Sequence, residues 1–191
     1  MNSVMNPYCN HINFLMFPLK HFDFDWTPNR QPTVADLSLD QINPELKKIM
    51  NDLGVYVSWV QVFYRPKLDY CSIHIDNRGG DYMKINWAFR GAGSKMTWYS
   101  VKSVATDDYY KGQVFKTEVN SEYIVYKPED LILEHTAEIV EGIPALVQVG
   151  IPHHIDNQLE ERYCISFSIS DIKTHRRLTM QQAIDTFKDY L

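Results

Sequence analysis

Between Val55 and Ser170 the chain is cut into short apolar and aromatic runs by turns rich in Gly, Pro and Asn, and this cadence constrains the fold most. The runs are Val55–Tyr64, Tyr70–Asn77, Tyr82–Phe89, Lys95–Val101, Glu122–Tyr126, Leu131–Ala137, Ala145–Ile151 and Arg162–Ser170. Short strands at intervals of ~8–12 residues predict a sandwich or barrel. Twelve Tyr, nine Phe and four Trp suit such half-buried pleated surfaces. A helix is expected at each end. Near Leu39–Leu53, Ser38 and Gln41 form a capping-box pattern, Leu46, Ile49, Met50 and Leu53 make an apolar stripe, and Gly54 ends the run. Pro44 sits in the first turns and could delay the start. A last helix over Met180–Leu191 has Thr179 and Gln182 in the same capping relation. The reading is mainly β with flanking helices, a double-stranded β-helix or jelly roll. It is one domain over 1–191, with an N-terminal arm and helix in 1–54, the core in 55–170 and a C-terminal helix in 171–191. Residues 1–32 read as irregular, with a possible edge strand at Phe22–Trp26, and 102–121 as a polar loop or hairpin.

In the run Tyr70–Asn77, residues two apart share a face. Ser72, His74 and Asp76 therefore look one way and Ile73 and Ile75 the other. An imidazole and a carboxylate on one face are two of the three ligands in the two-His-one-carboxylate triad, which leaves open positions on non-haem Fe(II). The second informative stretch is Val149–Asn157 followed by Arg162–Ser168. Read as a hairpin around the polar turn Asp156–Glu161, it brings His153 near Arg162. Arg162, Cys164, Ser166 and Ser168 share a face, and an arginine aimed into a β-core requires an anion, because an unpaired buried charge is costly. Its planar fork suits a carboxylate, and a structural pair with Glu160, Glu161 or Asp156 is the plain alternative.

The order His74-x-Asp76, then Pro152-His153, then Arg162 nine positions beyond, resembles the Fe(II)/2-oxoglutarate-dependent dioxygenases. Lys84-Ile85-Asn86-Trp87 is similar to that family's Asn-containing strand and Met96-Thr97-Trp98-Tyr99 to its next core strand. The resemblance spans about 55–170 and is nearest to small single-domain members of marine bacteria and phages. It implies Fe(II) held by His74, Asp76 and His153, with 2-oxoglutarate and O2 as cosubstrates. The far carboxylate of 2-oxoglutarate would pair with Arg162, while Ser166, Asn86, Tyr99 and Trp98 are candidates to line the cosubstrate pocket. The family run Pro-His-x-Val-x-Asn selects His153 over His154, though the second His-x-Asp, His154 to Asp156, remains an alternative source of the carboxylate. Many members carry Arg-x-Ser where this chain has Cys164, which leaves the helper hydroxyl open. His135 reads as structural or substrate-side.

Two rivals stand beside this reading: a cupin-like metalloprotein with other chemistry, and a non-enzymatic β-sandwich binding module. No phosphate-binding glycine loop is present. A net charge of -5 disfavours nucleic acid without excluding it. Three cysteines without a CxxC point to a reducing, cytoplasmic setting. No run approaches the ~18 apolar residues of a membrane span. The substrate class and oligomeric state are not written in the chain, and the arm and the 102–121 loop are where a substrate wall could come from.

Overall fold

The computed structural model describes residues 5–22, 31–76, 80–102, 113–116, 122–157 and 160–191. Thirteen strands run through them: β1 (Cys9–His11), β2 (Thr33–Asp36), β3 (Val55–Arg65), β4 (Asp69–Tyr70), β5 (His74–Asp76), β6 (Met83–Arg90), β7 (Lys95–Val101), β8 (Gln113–Lys116), β9 (Glu122–Val125), β10 (Leu131–Glu138), β11 (Pro144–Gln148), β12 (His153–Asn157) and β13 (Arg162–Asp171). They form a six-stranded sheet, β1-β11-β6-β13-β3-β2, and a seven-stranded sheet, β10-β7-β12-β5-β9-β8 with β4 against β12. Every pairing between these strands is antiparallel. This is a cupin-like jelly roll, as the spacing of the runs predicts.

The six-stranded sheet is covered on its outer face by α1 (Pro44–Asp52) and α2 (Met180–Phe187). Leu46, Met50, Ile184 and Phe187 from the helices join Ile85, Trp87, Ile165, Phe167 and Ile169 from β6 and β13 in the largest apolar cluster. Its inner face therefore turns toward the other sheet. There Ala88, Val147 and Val149 meet Met96 and Trp98 in a smaller cluster.

Four details depart from the sequence reading. The Ser38–Gln41 capping box exists, but it opens a 3-10 turn at Leu39–Gln41. The α-helix starts at Pro44, with Asn43 accepting from the Glu45 N–H at 2.9 Å. Proline offers no N–H to continue the earlier turn and disfavours helical backbone at the residue before it, so it fits only as a first helical residue. Second, β3 carries a bulge: Ser168 faces Trp59 and Ile169 faces Val57, leaving Ser58 unmatched. The bulge reverses the alternation, so Val55 and Val57 share the helix side with Val60 and not, as strict alternation has it, with Phe63. Third, β1 and β2 come from the stretch read as arm, and each extends an edge of the six-stranded sheet. Fourth, the segment 149–161 is not a hairpin. β11 and β13 lie in one sheet and β12 in the other, so His153 and Arg162 face each other between sheets. Of the suggested edge strand, Phe22 lies outside any strand, and 23–26 fall outside the described residues. In 102–121 a strand at Gln113–Lys116 pairs with β9, giving part of a hairpin. Among the described residues no helix is long and apolar enough to cross a membrane.

Candidate metal centre and anion pocket

β5 and β12 place the three candidate ligands. His74 and His153 stand opposite each other in strand register, with ring centroids 4.6 Å apart. Asp76 follows two residues after His74 on the same face, its Oδ1 3.5 Å from His74 Nε2. One ligand atom from each of His74, Asp76 and His153 lies within 4.8 Å of the others, the one such grouping among the described residues. Each imidazole is held from behind. His74 Nδ1–H donates to the Ser72 carbonyl at 2.8 Å and His153 Nδ1–H to the Ile151 carbonyl at 2.8 Å. A carbonyl can only accept, so in each ring Nε2 is the atom left for a metal.

The triad lines a cavity of about 70 Å³ between the sheets, room for a small ligand and not just one water. The seven-stranded sheet supplies the ligands, with Met96 and Ile155. The six-stranded sheet supplies Lys84, Asn86, Arg162, Cys164, Ser166, Phe63 and Arg65. One wall thus carries the candidate ligand set and the facing wall three cations. Lys84 Nζ meets Asp76 Oδ2 at 2.6 Å, and Arg65 meets Asp69 at 2.9 Å and Cys71 Sγ at 3.4 Å. Arg162 is 3% exposed, and its Nε and Nη2 have no hydrogen-bond partner.

The charges follow from these neighbours. Burial works to raise Asp76, but the Lys84 ammonium, then the two imidazoles, hold it well below the usual carboxylate range. Burial works to lower His74, yet the negative charge of the Cys71 sulfur, itself favoured by His74 and Arg65, and the Asp76 carboxylate outweigh it and shift the ring upward. Burial, aided by His74, pushes His153 down to about 3, so that ring is neutral. Burial raises the Cys164 thiol despite Arg162 beside it.

Among the residues singled out from sequence, His74, Asp76, His153, Arg162, Ser166, Asn86 and Cys164 meet in this cavity. Ser166 Oγ–H donates to Asn86 Oδ1 at 2.7 Å, so its hydroxyl is spent there and the Asn86 amide nitrogen is the remaining donor. Tyr99 and Trp98 do not line it, a correction to their suggested pocket role. Strand alternation turns Tyr99 to the far face, where its hydroxyl meets His154 Nδ1 at 3.0 Å. Trp98 donates to the Gln148 carbonyl at 2.7 Å inside the core. His154 lies on the face opposite His153, apart from the triad, and Asp156 shares that face. His135 stacks on Tyr8 at 5.5 Å and meets Asn6 Nδ2 at 2.8 Å, a structural placement.

Sequence reasoning missed Lys84, Arg65 and Cys71 as site residues. Lys84 is two residues before Asn86 on one strand, and that shared face was the available signal. Arg65 lies one residue past the run read as Val55–Tyr64, and the bulge at Ser58 sets it on the face opposite Val55 and Val57.

No family model matches this chain, and no curated protein matches it. Among solved structures, it is similar to the X-ray structure of E. coli ycfD, at 12% identity and a TM-score of 0.34 over 70% of this chain and 29% of that one. It is similar to the coconut allergen cocosin at 10% identity and a TM-score of 0.33, over 81% and 31%. It is also similar to a cupin 2 domain-containing protein from Halorhodospira halophila at 9% identity and a TM-score of 0.30, over 90% of both chains. This chain thus spans less than a third of the ycfD and cocosin chains. Likenesses this slight identify neither a family nor an activity.

Proposed function

We propose that this chain is a non-haem Fe(II)- and 2-oxoglutarate-dependent oxygenase, hydroxylating a substrate of unassigned class with release of succinate and CO2. The carrying observation is Arg162. Two of its buried donors are orphaned in the same cavity as a two-His-one-carboxylate set. A buried cation with unmet donors is costly, and it makes sense where an anion completes it. A small dicarboxylate reaching from the ligand wall to the cation wall meets both demands. The donor set, two imidazoles and a carboxylate, fits iron with open positions.

Bound there, iron with 2-oxoglutarate and O2 would supply the oxidising chemistry. The chain supplies orientation. The Ser72 and Ile151 carbonyls fix the ring planes of His74 and His153. Arg162 offers a fork that matches a carboxylate. Ser166 holds the Asn86 amide, with its remaining N–H donors, at the cavity wall. Phe63, Met96, Val149 and Ile155 line the cavity with apolar surface and limit water. Cys9, Cys71 and Cys164 are free thiols, in keeping with work in a reducing cytoplasm.

The test is an anaerobic titration of the Fe(II)-loaded protein with 2-oxoglutarate, following the visible metal-to-ligand charge-transfer band. A band in wild type that is lost in His153→Ala supports the proposal. Iron binding without the band would refute the cosubstrate and favour a cupin-like metalloprotein with other chemistry. An absence of iron binding would overturn the enzyme reading.

A further inference from the structure

We propose that Lys84 is a positioning residue of the metal centre: its ammonium occupies Asp76 Oδ2, so that Asp76 presents a single oxygen, Oδ1, to the metal. The inference rests on the metal-binding part of the reading above and deepens it.

The two carboxylate oxygens are divided between the walls of the cavity. Oδ2 is 2.6 Å from Lys84 Nζ, reaching across from the six-stranded sheet. Oδ1 is the oxygen near His74 Nε2, at 3.5 Å. The arrangement is tightly built. Lys84 is only 6% exposed. Its ammonium lies over the Phe63 ring, 5.6 Å from the centroid. Asp76 is fixed from the backbone as well, its N–H donating to the Val149 carbonyl at 3.0 Å and its own carbonyl accepting from the Tyr82 hydroxyl. Backbone and side chain are thus both prevented from turning, and Oδ2 is not free to swing toward a metal.

A buried ion pair is an expensive way to join two sheets, since apolar residues of like volume serve as well or better. Here it has a chemical use. Carboxylates bind metals through one oxygen or both. A facial triad leaves half of an octahedron open. A two-oxygen Asp76 would consume one of those open positions and leave too few for a chelating cosubstrate together with O2. Lys84 keeps that position open by engaging the second oxygen first.

The test uses Mn(II) alone, read by water-proton relaxation per bound ion at saturation, in wild type, Lys84→Met and Lys84→Arg. Lys84→Met should lower the inner-sphere relaxivity by roughly a third, as one of the open positions is taken by Asp76. Lys84→Arg, which retains a donor for Oδ2, should restore the wild-type value. A merely structural salt bridge predicts equal relaxivity in folded Lys84→Met and wild type, and that result would overturn the inference while leaving the metal site intact. If wild type binds no Mn(II), both fall together. Should Lys84→Met fail to fold, the wild type decides by NMR of the Lys84 ammonium. A resonance sheltered from solvent before and after Zn(II) loading supports the inference. Loss of that shelter on Zn(II) binding refutes it.

Discussion

Replacing Arg162 with methionine separates what the residue costs from what it does. The guanidinium is 3% exposed, with Nε and Nη2 unpartnered. It also stands directly opposite Arg65 in the register of β13 with β3. A buried donor without a partner costs about 1–3 kcal/mol, and like charges facing across a strand pair add to that. Methionine keeps an unbranched stem and removes both penalties. Arg162→Met should therefore unfold in guanidinium no earlier than wild type when metal and ligand are absent, with a gain of roughly 1–3 kcal/mol. Affinity should move the other way. Removing one partner of a buried charge-assisted pair costs about 2–5 kcal/mol, which weakens 2-oxoglutarate binding roughly 30- to 5,000-fold. The assays are denaturant melts of the free chain and anaerobic calorimetric titration of 2-oxoglutarate onto the metal-loaded chain. A stability loss above about 1 kcal/mol would mean that Arg162 has a structural partner in the free chain. Unchanged affinity would mean that the cosubstrate does not use it. Either result refutes the reasoning, and a gain in stability paired with a loss in affinity is hard to obtain any other way.

Gly91 has φ +78°, and a Cβ there would sit 2.8 Å from Arg162 Cβ. Gly91→Ala should cost about 1–3 kcal/mol in a denaturant melt and weaken 2-oxoglutarate, with Mn(II) affinity kept; equal weakening of metal and cosubstrate would contradict this. At Gly150 a Cβ would lie 1.5 Å from the Gly80 carbonyl oxygen, a backbone clash beside the strand that carries Asp76. Gly150→Ala should lower Mn(II) affinity at least about tenfold by disturbing the support of the ligands, and wild-type affinity in the folded variant would count against it. Far from the site, burial pushes the Cys9 thiol up to about 12. A raised thiol is stabilising while it stays neutral, so its contribution is complete below the ordinary thiol value and drains away as pH rises toward 12. At pH about 10.5 the loss is about 2 kcal/mol. Cys9→Ala should flatten that part of the alkaline slope in melts from pH about 8 upward, and identical slopes would refute it.

The two walls of the cavity were not equally legible in the sequence. His74 and Asp76 are two residues apart, so period-two alternation alone sets them on one face. His153 follows Pro152, and nothing local to it is ambiguous except His154, which alternation turns away. The cation wall is assembled from β3, β6 and β13. No short motif joins Arg65, Lys84 and Arg162, and only the strand register makes them neighbours. Arg65 was further disguised by the single unmatched residue Ser58, because one extra residue in a strand moves all that follow to the other face. Reading 149–161 as a hairpin came close for the wrong reason. It brought His153 and Arg162 together within one sheet, whereas the chain crosses between sheets and sets them face to face.

That difference bears on function. Neighbours in a hairpin would place Arg162 beside His153 in one sheet, with no gap between them for a ligand to span. On opposite walls the arginine and the triad are separated by a cavity that also holds Asn86 and Ser166, and Asp76 is already claimed by Lys84. Arg162 is therefore left with buried donors that no acid of the described chain satisfies. An anion spanning the gap between the walls would meet both the candidate metal and the unpartnered donors of Arg162. A monocarboxylate could satisfy the metal or the arginine, whereas a dicarboxylate satisfies both. In titrations of the metal-loaded chain, succinate and 2-oxoglutarate should thus each outcompete acetate and pyruvate. Arg162→Met should abolish the advantage of the longer diacids by removing their second contact.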